Sequence, residues 1–399
     1  MSIATANQLR LVRDAVGRLD ADQAAKDAIG MLLGDIITSE ALALPRDTVS
    51  EEVAYQRAFE SAALAERAAR PRAVIGEEGL DRDSLAAFLN RTIPGEGDIR
   101  IRSATTVSRG MSKKTVLVTI EGARTLPAEL ALRVDRSANN YLGTTVLDEW
   151  GPLRLLWDHG APIPQPFALE PDGTVIGDPF IVFACARGAP VGSIYVPPGP
   201  NAALLADTAA CMAKVHSVPV DNWPRPGQPQ GDAFFDAQFG DYLADWQALG
   251  EKNAIIDACF DWIDRHRARA YGPPALTHDD FNYNNMLVEG DRVSAVLDWE
   301  FAHVGTPAAD VAYLWYAAQS MGSFADFLAA YEGAGGWRPP EDQLDFYLLW
   351  GQLRLGVMGH KAVRNLEEGH FDDVRFGMAR WHRRQALLRL TDLLDRLEK

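Results

Sequence analysis

Apolar residues repeat at helical spacing over the first part of the chain. Leu9, Val12, Val16 and Leu19 form one stripe, Ile29, Leu32, Leu33, Ile36 and Ile37 a second, and Glu51 to Arg70 is alanine-rich. This period predicts a helical extension over 1–80. Its stripes either pack on each other and on the main body or offer a surface for a homo-oligomer. Pro71 and Gly76 punctuate its end. A short helix around Ser84 to Asn90 leads through Pro94-Gly95 to a β-rich stretch. The predicted strands are Ile99 to Val107, Thr115 to Glu121 and Ala128 to Val134. A helix over Thr145 to His159 and a buried strand within Asp178 to Gly188 follow. Beyond residue 188 the pattern is mainly helical, with a helix over Ala202 to His216, an aromatic group at Phe234, Phe235, Phe239, Tyr242 and Trp246, and two long helices from Glu341 onward. His216, at a helix end, is expected to interact with the helix dipole.

One stretch interrupts the helices. From Leu276 to Glu300 the chain reads LTHDDFNYNNMLVEGDRVSAVLDWE. Asn285 to Val288 and Val293 to Leu297 read as two short strands joined by the turn Glu289-Gly290-Asp291, a hairpin. Asp280 and Asn285 enter the first strand and Asp298 leaves the second, so folding carries all three to one edge. Mg²⁺ prefers oxygen donors and keeps several waters, so one carboxylate and one side-chain amide are enough to hold it beside substrate phosphates.

Composition narrows the partners. With 399 residues and 47% hydrophobic content the chain can bury a large core. A net charge of -16 argues against general nucleic-acid binding, which normally leaves a basic footprint. The three cysteines, Cys185, Cys211 and Cys259, are widely spaced and suggest neither a disulfide framework nor a zinc site, as fits a reducing cytoplasm. No apolar run reaches the roughly 18 residues of a membrane span, so no membrane partner is expected. Arg354, Lys361 and Arg364 recur on one face of a predicted helix, either a solvated face or a docking face for an anionic acceptor.

The order His278, Asp280, Asn285, Asp298, with VLDWEFAHVGTPAADVAYL from Val296 to Leu314, resembles the catalytic loop and metal strand of the aminoglycoside phosphotransferase and choline kinase family. The similarity is closest to the branch of kinase domains fused to acyl-CoA dehydrogenases. The resemblance implies an α+β, bilobal protein-kinase-like fold: a small antiparallel-sheet N-lobe over 81–187, a helical C-lobe over 188–399, and the 1–80 extension outside it. It implies an ATP- or GTP-dependent kinase that uses Mg²⁺ and phosphorylates a small hydroxylated acceptor, with Asp280 as catalytic base and Asn285 and Asp298 as metal ligands. Ser108 to Thr115 looks like the family's nucleotide loop, with Gly110, Ser112 and Lys113 at the phosphates. Arg133 takes the place of the strand lysine, and Glu149 matches its acidic partner. Phe183 would gate the adenine pocket, while Ala184 and Ala186 read the purine edge through their backbones. His278 and Asp310 would support the catalytic loop.

Branch similarity points to a hydroxyacyl-CoA or hydroxy acid as acceptor, whereas the acidic charge suits a cationic aminoglycoside. A nucleotide-binding, pseudokinase-like regulatory module is the alternative from another class. Three residues depart from the family pattern. Asp279 stands where glycine is usual, and could raise the pKa of Asp280 or add a metal ligand. Arg109 and Lys113 replace the common glycine and asparagine of the nucleotide loop.

Overall fold

The structure, a computed structural model, describes residues 80–107, 113–135, 143–192, 198–369 and 379–398. The helical extension expected over 1–80, with its oligomer surface, lies outside the described residues except for Leu80, as do Arg109, Gly110 and Ser112.

In chain order the elements are α1 (Arg82–Thr92), β1 (Arg100–Val107), β2 (Lys113–Glu121), β3 (Glu129–Asp135), α2 (Val146–Asp158), β4 (Pro166–Glu170), β5 (Phe180–Ala184), α3 (Ala202–His216), α4 (Asp232–Leu249) and α5 (Ala254–Arg265). Then come β6 (Ala275–Thr277), β7 (Met286–Glu289), β8 (Arg292–Val296), β9 (His303–Gly305), α6 (Ala308–Tyr313), α7 (Trp315–Met321), α8 (Phe324–Gly333), α9 (Glu341–Glu367) and α10 (Ala379–Leu397). They fall into two compact units. One holds Ala73–Phe235 and Tyr271–Pro340, the other Asp236–Ala270 and Glu341–Lys399.

The first unit contains an antiparallel five-stranded sheet in the order β1-β2-β3-β5-β4. Period-two alternation builds it: Val116, Val118 and Ile120 of β2 and Leu130, Leu132 and Val134 of β3 are buried on one face. Leu85, Phe88 and Leu89 of α1 join that core, with Phe88 edge-on to Phe180 at 5.3 Å. Asp81 caps α1, accepting from the backbone N–H groups of Asp83 and Ser84 at 3.0 Å. Arg133, between Leu132 and Val134, therefore points to the opposite face of the sheet.

The remainder of this unit carries the hairpin. β7 and β8 pair as Met286↔Val296 and Leu287↔Ala295, and Gly290 turns the chain at φ +64°. The ladder continues one step further, where Leu297 N–H donates to Asn285 O at 2.7 Å. The hairpin is also fastened to the segment leaving β5. Ala189 and Val288 form a bridge, and Ser294 Oγ donates to Arg187 O at 2.7 Å. Gly188 sits between them at φ +95°, where a Cβ would lie 2.7 Å from Val288 O. This is a close backbone approach that only glycine allows.

In the second unit, the long α9 packs against α10 and α5. Trp350, Phe239, Phe260 and Trp262 fill its interior. The aromatic group expected at residues 234–246 is therefore shared between the two units in sequence, with Phe239 and Trp246 buried in the second.

Candidate active site

Both ends of the hairpin carry the expected side chains to one place. Asn285 Nδ2 donates to Asp280 O at 3.0 Å and to Asp280 Oδ2 at 2.6 Å. These two bonds fix the amide and leave Asn285 Oδ1 as an acceptor, which Asn284 Nδ2 reaches at 2.8 Å. Asp298 adopts the left-handed conformation, φ +69°, and its side chain keeps 29% exposure. Arg133 reaches across from the sheet to an oxygen of Asp298, while its Nε lies 2.8 Å from Glu149 Oε2 on α2. The expected Arg133–Glu149 pair is formed.

Charge in this cluster is dense. Carboxylates (Asp135, Glu149, Asp298, Glu300) outnumber the cations Arg133, Lys113 and Arg225 that meet them. Burial pushes the Glu149 carboxyl up to about 7 against the pull of Arg133, with Glu300 and Asp298 adding to the rise. Burial works to lower the Arg133 pKa, but Asp298 and Glu149 outweigh it and keep the guanidinium charged. Asp280 is raised to about 6, first by burial and then by Asp298, while His278 and hydrogen bonds from Tyr313 and Asn285 hold it back.

His278 is a support. Its Nδ1 accepts from Asp280 N–H at 3.2 Å and its Nε2 donates to Leu297 O at 2.8 Å, so both ring nitrogens are spent on backbone. Asp310 anchors the loop from below: its carboxylate accepts the N–H groups of His278 at 2.8 Å and Asp279 at 2.7 Å. Burial alone would raise the Asp310 pKa, yet hydrogen bonds from the His216 ring and the His278 backbone N–H bring it below its usual value. His216 Nε2 lies 3.1 Å from Asp310 Oδ2, and its Nδ1 lies 2.6 Å from the Tyr331 hydroxyl. Sequence reasoning gave His216 to the helix dipole, whereas it braces Asp310. Only its place at the end of an apolar helix signalled it.

Asp279 sits at φ +64°, the left-handed region that explains why glycine suits this position. Its carboxylate is buried with Oδ2 4.0 Å from His303 Nδ1, and Phe234 stacks on His303 at 3.6 Å. The β6–β9 pair brings this about by setting Thr277 opposite His303, and neither strand was legible beforehand. The upward pressure on Asp280 comes from burial and Asp298, while Asp279 turns to His303.

On the nucleotide side, Phe183 is buried on β5, and Ala184 and Ala186 follow it half-buried. For Lys113 the expectation changes. Its ammonium is buried, donating to Thr144 O at 2.6 Å and lying 3.3 Å from Glu300 Oε2. Whatever it does for a nucleotide passes through the segments it ties together. Arg354, Lys361 and Arg364 belong to the second unit, where their charge is met internally. Lys361 Nζ is 2.8 Å from Asp245 Oδ2, Arg364 donates to Leu249 O and lies 4.0 Å from Glu251, and buried Arg354 is 5.6 Å from the Tyr242 ring centre.

The donor set fits a hard divalent cation. A fixed amide oxygen and a partly exposed carboxylate lie in a cluster where carboxylates outnumber cations. Among the described residues no group of three or more His, Cys, Asp or Glu side chains forms a metal cage, and no helix is long and apolar enough to cross a membrane.

Known proteins share this fold. Human acyl-CoA dehydrogenase family member 11 is 24% identical over 256 residues, which is 60% of this chain and 31% of that protein. The chain thus spans under a third of that relative's length. A Ralstonia eutropha protein classed as an aminoglycoside phosphotransferase shares the fold with a TM-score of 0.62 and 19% identity, covering 78% of this chain and 98% of its own. Choline kinase from Cryptosporidium parvum aligns with a TM-score of 0.55 and 13% identity, covering 79% and 97%. The family model described as the phosphotransferase enzyme family matches residues 103–346, more than half of the chain. With the kinase-like fold and the hairpin site in place, the chain belongs to the phosphotransferase enzyme family.

Proposed function

We propose that the protein transfers the γ-phosphoryl group of a nucleoside triphosphate, ATP or GTP, to a hydroxyl of a small molecule. One observation carries this reading: Asp280, Asn285 and Asp298 meet at one edge of the β7–β8 hairpin with Arg133 reaching in from the sheet. Phosphoryl transfer depends mainly on positioning and charge neutralisation, and these residues are suited to both.

Asp280 accepts the proton of the acceptor hydroxyl and orients the attacking oxygen. Its raised pKa, about 6, suits a group that must take a proton near neutral pH. Asn285 and Asp298 would hold Mg²⁺, which when bound neutralises charge on the phosphates. Arg133, fixed by Glu149, holds the phosphate tail, a task it shares with the loop residues Gly110 and Ser112. The Ala184 carbonyl and the Ala186 amide read the purine edge beside Phe183. His278 and Asp310 keep the loop in shape. A division into lobes at 187/188 and a cytoplasmic setting belong to the same reading.

For the acceptor, the acyl-CoA dehydrogenase relatives support a hydroxyacyl-CoA or hydroxy acid. The net charge of -16 favours a cationic aminoglycoside as the second reading. The test is nucleotide consumption across a panel of hydroxyacyl-CoAs, hydroxy acids, aminoglycosides and choline-like alcohols, with and without Mg²⁺. Turnover should require Mg²⁺, respond to one acceptor class and fall by about 10²-fold or more in Asp280→Ala. Tight nucleotide binding without turnover on any member would favour a regulatory module.

A further inference from the structure

Helix α2 is interrupted in its own hydrogen bonding. Pro152 lies inside it and has no N–H to give, so the carbonyl of Asp148, four residues back, loses its intrahelical donor. The donor comes from outside the helix instead. Arg225 Nε donates to Asp148 O at 2.7 Å. Gly151, the neighbour of Pro152, makes room for the same loop: a Cβ there would lie 2.8 Å from Pro224 Cβ and 3.1 Å from Pro224 O. Gly151-Pro152 on the helix and Pro224-Arg225 on the loop therefore fit each other. The loop is also closed on itself. Trp223 is buried and donates through Nε1 to Gln228 Oε1 at 2.7 Å, and Gln228 N–H donates to Arg225 O at 3.2 Å.

The rest of the Arg225 guanidinium goes to the segment that follows Asp298. Its Nη1 donates to Ala302 O at 2.9 Å and its Nη2 to Glu300 O at 3.5 Å. Arg133 spans the same two segments through side chains, from Glu149, next to Asp148, to Asp298. We infer that Arg225 is a positioning residue for the nucleotide side. By tying the turn of α2 that carries Glu149 to residues 300–302, it holds the Glu149 and Asp298 carboxylates at the spacing that fixes Arg133 for the phosphate tail. This rests on the phosphotransferase reading above. The planar fork of an arginine, with donors in fixed directions, reaches three carbonyls at once, which a single ammonium on a flexible stem does not do. All three acceptors are main-chain oxygens, so the tie sets where the backbone lies and reaches the phosphates only through Glu149, Asp298 and Arg133.

The test is calorimetry on the full-length chain with two probes: a non-hydrolysable ATP or GTP analogue with Mg²⁺, and the bare nucleoside. Arg225→Met should weaken binding of the analogue about tenfold, the scale of one lost charge-assisted hydrogen bond, and leave the nucleoside unchanged. Gly151→Ala favours the helix but displaces Pro224, and should show the same selective loss. In an Arg133→Met/Glu149→Gln background, Arg225→Met should add nothing, because its effect passes through that pair. Unchanged analogue affinity in Arg225→Met, equal weakening of analogue and nucleoside, or the same tenfold loss with the pair already removed would each overturn the inference and leave the phosphotransferase reading intact. If Arg225→Met does not fold, Gly151→Ala decides by the same criteria, alone and in that background. Failure of wild type to bind either analogue would defeat the phosphotransferase reading and the inference with it.

Discussion

At the scale of single residues, the site depends on side chains that are locked before any substrate arrives. Asp280 is held by Asn285, Tyr313 and the His278 ring, so its loss removes a placed base and one of the two bonds on the Asn285 amide, the other going to the backbone. Asp280→Ala should lower kcat by about 10²-fold or more with nucleotide affinity nearly unchanged, as steady-state kinetics and calorimetry would show. Asp279 offers a finer comparison. Alanine and glycine both delete its approach to His303, but only glycine is at ease at φ +64°. Asp279→Ala should therefore be less stable than Asp279→Gly by about 1 kcal/mol in denaturant unfolding. Glu96 supplies a pH marker far from the chemistry. Residual burial pushes its carboxyl up, but backbone N–H groups of Thr125, Arg124 and Leu126 and the Thr125 hydroxyl outweigh this and hold it at about 2. A depressed folded pKa means stability that is present above the ordinary value of 4.5 and lost as pH falls toward about 2. Glu96→Gln should flatten that part of the stability profile, followed by thermal melts between those limits.

Among the elements, the hairpin was legible because its signals are local. Alternating apolar residues, a Glu-Gly-Asp turn and acidic or amide groups at both ends are all within one stretch. The helix Ala202–His216 was legible to its last residue for the same reason. β4, β6 and β9 were not, since two of them have three residues each and are defined by a partner far along the chain. The bracing of Asp310 by His216 and Tyr331 and the burial of Lys113 were hidden likewise, because no spacing rule brings His216 to Asp310 and Tyr331 or Lys113 to Glu300. The Arg133–Glu149 pair was expected only through family resemblance, and structurally it is the joint between β3 and α2. Arg133→Met should destabilise the protein by about 3 kcal/mol, because Glu149 is left buried without its cation. The companion Arg133→Met/Glu149→Gln should recover part of that loss in the same unfolding assay.

For the whole molecule, the kind of protein and the identity of its acceptor are separate matters. The family model and the kinase-like neighbours establish what kind of protein this is. The acceptor depends on surfaces that the shared fold leaves free to vary. Net charge alone does not choose between an anionic and a cationic acceptor, because charge acts locally at a cleft. The nucleotide side can be tested without knowing the acceptor. A ligand that binds only the folded state raises stability with the logarithm of its excess over Kd, about 2.7 kcal/mol at a hundredfold excess. Mg·ATP should therefore raise the melting temperature of the full-length chain, and EDTA should reverse most of that gain.

The fastening of Arg187–Ala189 to the hairpin bears on how this protein tolerates changes in length. Gly188 packs against the carbonyl of Val288 while Ser294 and Ala189 hold either side, so the path from Ala184 to Asn285 has no slack. A residue inserted between Ala186 and Ala189 would break the Ala189–Val288 bridge or the Ser294–Arg187 bond, or shift the strand pair they hold. At the opposite end, the exposed turn at Gly290 can lengthen freely. Paired insertion libraries at these two places should give a sharply one-sided pattern of survivors.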